Sequence, residues 1–486
     1  MNRPIRTVSL FCLLLFVALL ANATYLQFWR AGALDDDPRN QRVQQASYSS
    51  ERGAILVGRT PVAQSTPSDD RFEFQREYPQ PLMYAPLTGY FTFGDSTGIE
   101  SALDDVLSGE DARFFVRNLV DLVSNEQQNG ANVELTINAR AQRAAYEGLS
   151  ALGPEVEGSV VAIEPDTGRV LAMVSLPTFD PNELASHDFD AVGRAYDRLE
   201  AAEGDPLLNR AVQTRLFPGS TFKVVTAAAA LESGKYDDAD SLVPGGATFQ
   251  LPQTSGDSGL VDNGGRSCGT GEITLRQAME QSCNTTFAQL ALEVGAEAML
   301  EQAEKFGFNS DYLEDLPGQA RSVFPEELNP PELGQAGFGQ FDVQATPLQM
   351  AMVAAGIANG GVVMRPYVVS EVQSPDYDAE TAEPEELSEA VSPATADVLT
   401  DLMVSTVDDG TAAPAAIPDV AVAGKTGTAQ RGVEGQAPYG WFISFAPATD
   451  ARVAVAVMIE EAPGQEIAGG ALGGPIAKAV MEAILS

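Results

Sequence analysis

The chain carries the sequence FPGSTFK at residues 217–223, directly before the alanine-rich apolar run Val224–Leu231. The run predicts a buried helix, and the proline and glycine in front of it predict a turn. Ser220 then lies in the first helical turn, where free backbone N–H groups favour developing negative charge. Lys223 follows three residues later, so we expect it on the same helix face as Ser220.

Ser220 and Lys223 have the chemistry of a nucleophile and its base. A serine at its ordinary pKa needs a base, and a lysine desolvated against an apolar wall has a lowered pKa and can accept a proton. Arginine cannot, and only five of the 29 Lys and Arg residues are lysine. The one histidine, His187, is expected to be a surface or loop residue. The alternative is a helix that merely begins with serine and carries a lysine.

Two further short motifs follow in the chain. Ser282-Cys283-Asn284 comes after a helix-like segment, and Lys425-Thr426-Gly427-Thr428 comes after the apolar run Val420–Ala423. Each motif alone is typical of a helix end or a strand end. Together with Ser220 and Lys223, they follow the S-x-x-K, S-x-N and K-T-G order found in serine β-lactamases and penicillin-binding proteins.

Through these motifs the chain resembles a class B penicillin-binding protein of the penicillin-binding protein A type of actinobacteria, most clearly from about Leu135 onward. The resemblance implies a peptidoglycan D,D-transpeptidase, a serine-type acyltransferase that cross-links stem peptides through an acyl-enzyme and is acylated by β-lactam antibiotics. A serine β-lactamase and a non-enzymatic β-lactam sensor are the alternatives. A sensor would need further transmembrane helices, and the sequence has no second span of suitable length after Trp29.

The resemblance also implies roles for individual residues. Ser220 attacks a carbonyl, Lys223 takes its proton, and Ser282 passes a proton to the leaving amine. Asn284 holds the substrate amide, and Lys425 attracts a terminal carboxylate. The implied substrate-binding residues are Thr426, Gly427 and Thr428, with the backbone N–H groups of Ser220 and Thr428 as the oxyanion hole. No cofactor is implied, and a single histidine leaves out multi-histidine zinc sites.

Composition limits the partners. The 486 residues carry a formal net charge of −39, which excludes nucleic acid because its phosphates would be repelled. The expected partners are peptidoglycan stem peptides, β-lactams, the membrane, and cell-wall synthesis or division proteins. The three cysteines do not make a disulfide scaffold. Export permits a bond between Cys268 and Cys283, but the sequence leaves both a bond and two free thiols open.

The N-terminal segment predicts membrane attachment. Arg3 and Arg6 precede the apolar run Val8–Phe28, which is just long enough to span a bilayer with the N-terminus inside. A cleaved signal peptide is the alternative, because Ala21-Asn22-Ala23 resembles a cleavage site. We predict a single-pass cell-membrane protein with an extracytoplasmic catalytic domain. The expected divisions are a cytoplasmic tail and anchor at 1–30, a non-catalytic module at 31–132 and a transpeptidase domain at 133–486.

The remaining segments predict an α/β (α+β) fold, with an antiparallel sheet, helices on both of its faces and an all-helical cluster that carries Ser282. Apolar or alternating runs predict the strands, which are 158–163, 169–176, 421–430, 441–447 and 453–459. A helical pattern continues through Thr286–Phe308. Polar or glycine-rich composition predicts loops at Tyr236–Asp262, Gly334–Gly339 and Ser374–Glu389.

Overall fold

The computed structural model describes residues 3–30, 48–111, 129–373, 379–432 and 435–486. An exposed helix, Arg3–Thr24, continues through a π-helical turn, Tyr25–Trp29. These 27 residues include a window with a mean hydropathy of 2.2, so the helix is long and apolar enough to cross a membrane. It covers the predicted span.

A six-stranded sheet forms the body of the N-terminal module. In spatial order its strands are Glu380–Thr381, Val369–Gln373, Asn132–Leu135, Ile55–Val57, Thr60–Pro67 and Phe74–Glu77. Ile55 pairs with Val133 in a parallel ladder, and the other strand pairs are antiparallel. Two strands come from the C-terminal half of the chain, so this sheet crosses the predicted boundary at residue 132. The helices and the small hairpin that accompany it are Pro81–Thr88, Gly98–Ala102, Asp104–Ser108, Phe91–Thr92 and Asp95–Ser96.

A buried ion cluster holds this module together. The Glu100 carboxylate accepts hydrogen bonds of 2.7 Å from the Nε atoms of both Arg52 and Arg76, and one of 3.1 Å from the Tyr78 hydroxyl. Burial alone would raise the pKa of Glu100, but the two guanidinium groups bring it below its ordinary value. Glu100 is therefore an ionised carboxylate in a dry site, stabilised only while both arginines remain.

The second region of the chain is built on a five-stranded antiparallel sheet. Its strands, in spatial order, are Ala423–Ala429, Tyr439–Ala446, Val453–Glu461, Glu157–Ile163 and Val170–Leu176. Alternate residues face two different cores. Val160 and Ala162 pack with the terminal helices Ala139–Ser150 and Gly474–Leu485, whereas Val161 and Ile163 pack with the core around the helix that follows Ser220. Both faces are buried, which explains the nearly continuous apolar runs and confirms the predicted fold class.

The helical cluster covers the second face. Its helices are Lys223–Glu232, Leu275–Glu280, Asn284–Val294, Ala296–Lys305, Pro330–Ala336, Pro347–Ala358 and Pro393–Asp408. The Thr274 and Thr346 side chains accept hydrogen bonds from the third backbone N–H of the helices that follow them and so cap these helices. Two further helices, Phe189–Glu200 and Arg210–Gln213, complete the region before Ser220.

Several local predictions were wrong. The helical pattern after Thr286 breaks at Gly295, whose φ of 92° is incompatible with a continuous helix. The predicted loop at Gly334–Gly339 overlaps a helix, because the capping box formed by Asn329 and Glu332 starts it upstream. Short strands also occupy parts of the two other predicted loops, namely Leu242–Pro244, Thr248–Gln250, Leu260–Asp262, Glu380–Thr381 and Glu386–Glu389. The first part of the predicted loop Ser374–Glu389, residues 374–378, lies outside the described residues.

His187 lies in a loop, as predicted, but its side chain is not a surface group. The side chain is only 8% exposed, and Nδ1 lies 2.6 Å from the Asp70 carboxylate. The rings of Tyr48 and Phe72 lie 5.0 and 4.7 Å from the imidazole, centre to centre. His187 therefore packs against Tyr48 and Phe72 of the N-terminal module.

Candidate active site

Ser220 lies in a tight turn at the start of the central helix. The turn, Gly219–Phe222, is a 3₁₀ helix that leads directly into the helix Lys223–Glu232. Gly219 has a φ of 53°, and its N–H donates a hydrogen bond of 2.9 Å to the carbonyl of Gly339. A left-handed residue in close contact with another backbone segment requires glycine. The turn presents Ser220, 7% exposed, at the bottom of a cleft.

Lys223 is fully buried beneath the cleft and bonded to the second motif. Its Nζ donates to the Ser282 carbonyl at 2.7 Å, to the Ser282 hydroxyl at 3.2 Å and to Asn284 Oδ1 at 2.7 Å. Among the described residues, no hydrogen bond joins Lys223 to the Ser220 hydroxyl. Catalytic hydrogen bonds often tighten only when substrate is bound, so this geometry is compatible with the predicted base.

The second motif has an unusual backbone. Ser282 is fully buried with a φ of 53°, a conformation that is uncommon for residues other than glycine and that clusters at functional sites. Asn284 begins the next helix and donates from Nδ2 to the Asp262 carbonyl at 2.8 Å, which leaves its second amide hydrogen for a ligand. Between them, Cys283 forms a disulfide with Cys268, with 5.9 Å between the Cα atoms. This settles the pairing that the sequence left open.

The third motif lies on the edge strand Ala423–Ala429, next to the Ser220 turn. The Lys425 ammonium, fully buried, donates to the Ser282 hydroxyl at 2.8 Å. The hydroxyl groups of Thr426 and Thr411 lie 2.7 Å apart, and Thr428 is exposed in the cleft. A Cβ on Gly427 would lie 2.9 Å from the Pro218 carbonyl, so this glycine is needed for packing against the turn. This packing role is separate from the substrate-binding role that the resemblance implies for Gly427.

Two buried lysines thus share one serine hydroxyl. Burial is the main cause that lowers the pKa of Lys223 well below its ordinary value, and the charges of Lys425 and Arg266 lower it further. Burial, followed by the Arg266 charge, lowers the pKa of Lys425 to about 7. Lys425 can therefore accept a proton near neutral pH, and burial displaces the pKa of Lys223 in the same direction.

An open cleft of about 940 Å³ lies beside the three motifs. The predicted residues Ser220, Asn284 and Thr428 line it. Sequence reasoning missed seven more charged or amide residues of the lining, which are Asp262, Arg266, Gln335, Gln340, Gln430, Arg431 and Gln436. Arg266 is close in sequence to a cysteine, and Gln430 and Arg431 follow the K-T-G motif, but neither signal is specific, and the other residues had none.

Comparison with known proteins agrees with this geometry. The family model of the penicillin-binding protein transpeptidase domain matches residues 158–482, and that of the penicillin-binding protein A dimerisation domain matches residues 52–133. The chain is 43% identical to the peptidoglycan D,D-transpeptidase PbpA of Mycolicibacterium smegmatis, over 100% of this chain and 99% of that protein. It is 42% identical to PbpA of Mycobacterium tuberculosis, with the same coverage.

Solved structures give the same result. A ceftriaxone acyl-enzyme complex of M. tuberculosis penicillin-binding protein A is similar with a TM-score of 0.85 at 41% identity, over 90% of this chain and 99% of that chain. The penicillin G acyl-enzyme complex of the same protein has a TM-score of 0.83 at 40% identity, over 90% and 100%. The chain therefore belongs to the penicillin-binding protein transpeptidase family, and it is a peptidoglycan D,D-transpeptidase of the serine type.

Proposed function

We propose that Ser220 is the nucleophile of this transpeptidase and that it is acylated both by peptidoglycan stem peptides and by β-lactams. The observation that carries the proposal is the convergence of three sequence motifs, far apart in the chain, on one cleft. Their contacts join Lys223, Ser282, Asn284 and Lys425 by direct hydrogen bonds behind Ser220.

The proposed reaction has two acyl transfers. Lys223 takes the proton from Ser220 as its oxygen attacks the carbonyl of the donor peptide, and the oxyanion binds the backbone N–H groups of Ser220 and Thr428. The C–N bond breaks, and the Ser282 hydroxyl relays a proton to the leaving amine. An amine of a second stem peptide then attacks the ester carbonyl and loses a proton through Ser282 to Lys223. The C–O bond breaks, and Lys223 returns the proton to the Ser220 oxygen.

Substrate binding follows from the two walls of the cleft. On the helical wall, Asn284 donates its remaining amide hydrogen to the donor peptide. On the sheet wall, Lys425 with Thr426 and Thr428 attracts the terminal carboxylate, and Gly427 keeps the strand close to the catalytic turn. A bound carboxylate would favour the protonated form of Lys425, whose pKa is otherwise lowered to about 7.

We also propose that Arg3–Trp29 anchors the protein in the cell membrane, with the catalytic domain extracytoplasmic. The length and apolar character of the helix support this. Residues 1–30, 31–132 and 133–486 are the proposed divisions, with the strand Val369–Gln373 joining the second to the third. Contacts with cell-wall synthesis or division proteins stay a prediction.

Intact-protein mass spectrometry with penicillin G tests the nucleophile. The full-length protein in detergent should gain one long-lived adduct, and Ser220→Ala should gain none. Ser233→Ala, which changes a serine at the far end of the same helix, is the matched control and should be labelled like the wild type. Labelling of Ser220→Ala at the wild-type level would exclude the assignment, and rapid turnover without an adduct would instead indicate a β-lactamase.

A further inference from the structure

Arg266 is a cation in the cleft wall to which the three motifs give no role. Its Nε donates to the Asn263 carbonyl at 2.7 Å, and its guanidinium makes no other hydrogen bond and no salt bridge within the described parts of the chain. The Asp262 carboxylate interacts electrostatically with Arg266, but the two side chains are too far apart to form a salt bridge. The other arginine of the cleft, Arg431, differs because it pairs with Glu461 at 2.6 Å.

The segment that carries Arg266 is fixed at both of its ends. On one side, the buried Asn263 accepts a hydrogen bond of 3.0 Å from the Thr285 N–H and donates one of 2.8 Å to the Gly246 carbonyl. On the other side, the disulfide ties Cys268 to the second motif. The backbone that carries Arg266 is therefore held in place before any ligand arrives, and the Nε bond to Asn263 restrains the side chain, which lowers the entropy lost on binding.

The charges around Arg266 favour an anion. It acts electrostatically on Lys223 and Lys425, and it is the one of these three side chains that stays charged when the lysine pKa values are lowered, in a protein of net charge −39. An anionic group is repelled by the molecule as a whole and attracted at this point. A guanidinium with free N–H groups binds a carboxylate through two parallel hydrogen bonds.

The position of Arg266 indicates which carboxylate this is. In the proposed function, the terminal carboxylate binds at the sheet wall beside Lys425. Arg266 lies on the helical wall, in the segment whose Asp262 carbonyl is bonded to Asn284. A group that reaches it must belong to the part of the substrate held by Asn284, on the acyl side of the scissile bond.

We propose that Arg266 is a specificity-determining residue that binds a carboxylate carried by the acyl donor on the N-terminal side of the scissile bond. In a stem peptide this is a free carboxylate on a side chain, and in a penicillin it is a carboxylate on the acyl side chain. The inference rests on the proposed function, because it assumes that Ser220 is acylated by both kinds of compound.

The test uses two penicillins that differ only in a carboxylate on the acyl side chain. Acylation rate constants are measured for the full-length protein in detergent, and the ratio of carboxylated to neutral compound is compared between variants. Arg266→Gln should lower this ratio by about tenfold, the effect of losing one hydrogen-bonded charge pair. Arg431→Gln is the matched control in the same cleft and should keep the wild-type ratio.

The ratio is internal to each variant, so a change in the amount of folded protein cancels. Arg266→Ser is measured in parallel, and either variant that still reacts with the neutral penicillin decides the question. An unchanged ratio, an equal loss with both penicillins, or the same fall in Arg431→Gln would overturn the inference. Failure of the wild type to react with either penicillin would instead contradict the proposed function.

Discussion

The ammonium group of Lys425 donates a hydrogen bond of 2.8 Å to the hydroxyl of Ser282. Lys223 approaches the same hydroxyl at 3.2 Å. Two adjacent buried ammonium groups repel each other, so at least one of them is readily neutral near pH 7. Ser282 thus bridges two lysines, and its hydroxyl can accept a proton from one side as it releases one to the other.

Lys223→Arg should lower the acylation rate by about a hundredfold or more, because arginine keeps the charge but cannot accept the proton of Ser220. Labelling with a fluorescent penicillin, followed over time, measures the rate. Lys235→Arg, just beyond the end of the same helix, is the control and should react like the wild type. A mild effect at Lys223 would shift the role of base to Lys425.

Lys425 should make the stability depend on pH. Its pKa is about 7 in the folded protein and about 10.4 in an unfolded chain, so between these values the unfolded state binds more protons. Burial of Lys425 therefore destabilises the fold most below pH of about 7, and the penalty disappears as the pH rises towards about 10.4. For this one group, the free energy of unfolding rises by up to about 1.4 kcal/mol per pH unit.

Melting temperatures of the wild type and Lys425→Met, measured from about pH 7 to about pH 9, test this expectation. The wild type should gain stability with pH relative to Lys425→Met. Lys478→Met serves as the control for removal of a lysine elsewhere and should follow the wild type. Parallel curves for wild type and Lys425→Met would contradict the lowered pKa.

The disulfide between Cys268 and Cys283 should support the active site. Thiol counting on the denatured, unreduced full chain should find one free thiol, that of Cys12, and three would contradict the bond. Replacing both bonded cysteines by serine should lower the free energy of unfolding by roughly 3 kcal/mol in the chain-entropy model. Acylation should slow but persist, because Ser220 and Lys223 remain. Cys12→Ser is the control.

Glu100→Gln should destabilise the N-terminal module by about 3 to 5 kcal/mol, because two buried guanidinium groups would lose their counter-charge. Asp104→Asn is the matched control. Asp104 also pairs with Arg52, but its side chain is 52% exposed, so its loss should change stability by about 1 kcal/mol or less. Urea unfolding compares the two, and equal effects would contradict a buried ionic cluster.

Strands, helices and motif residues could be predicted where the hydrophobic pattern of a segment agrees with its turn and capping residues. The strands around Val161 and Ile443, and the helix behind Ser220, follow from continuous apolar runs with clear turn and cap signals. The three motifs were identified from their order in the chain. Asp262 and Arg266 were missed because their places depend on the disulfide and on hydrogen bonds to Asn284 and Thr285, none of which leaves a periodic pattern.

The pairing of Val369–Gln373 with Asn132–Leu135 has a practical consequence for protein engineering. The N-terminal module is not a contiguous cassette, because one of its inner strands is encoded more than 230 positions downstream of its neighbour. A chimera that exchanged only the first 132 residues between relatives would take the strands Ile55–Val57, Thr60–Pro67 and Phe74–Glu77 from one protein. The strands Val369–Gln373 and Glu380–Thr381 of the same sheet would come from the other. A fragment that began at residue 133 would leave an open strand edge, which invites intermolecular pairing and aggregation.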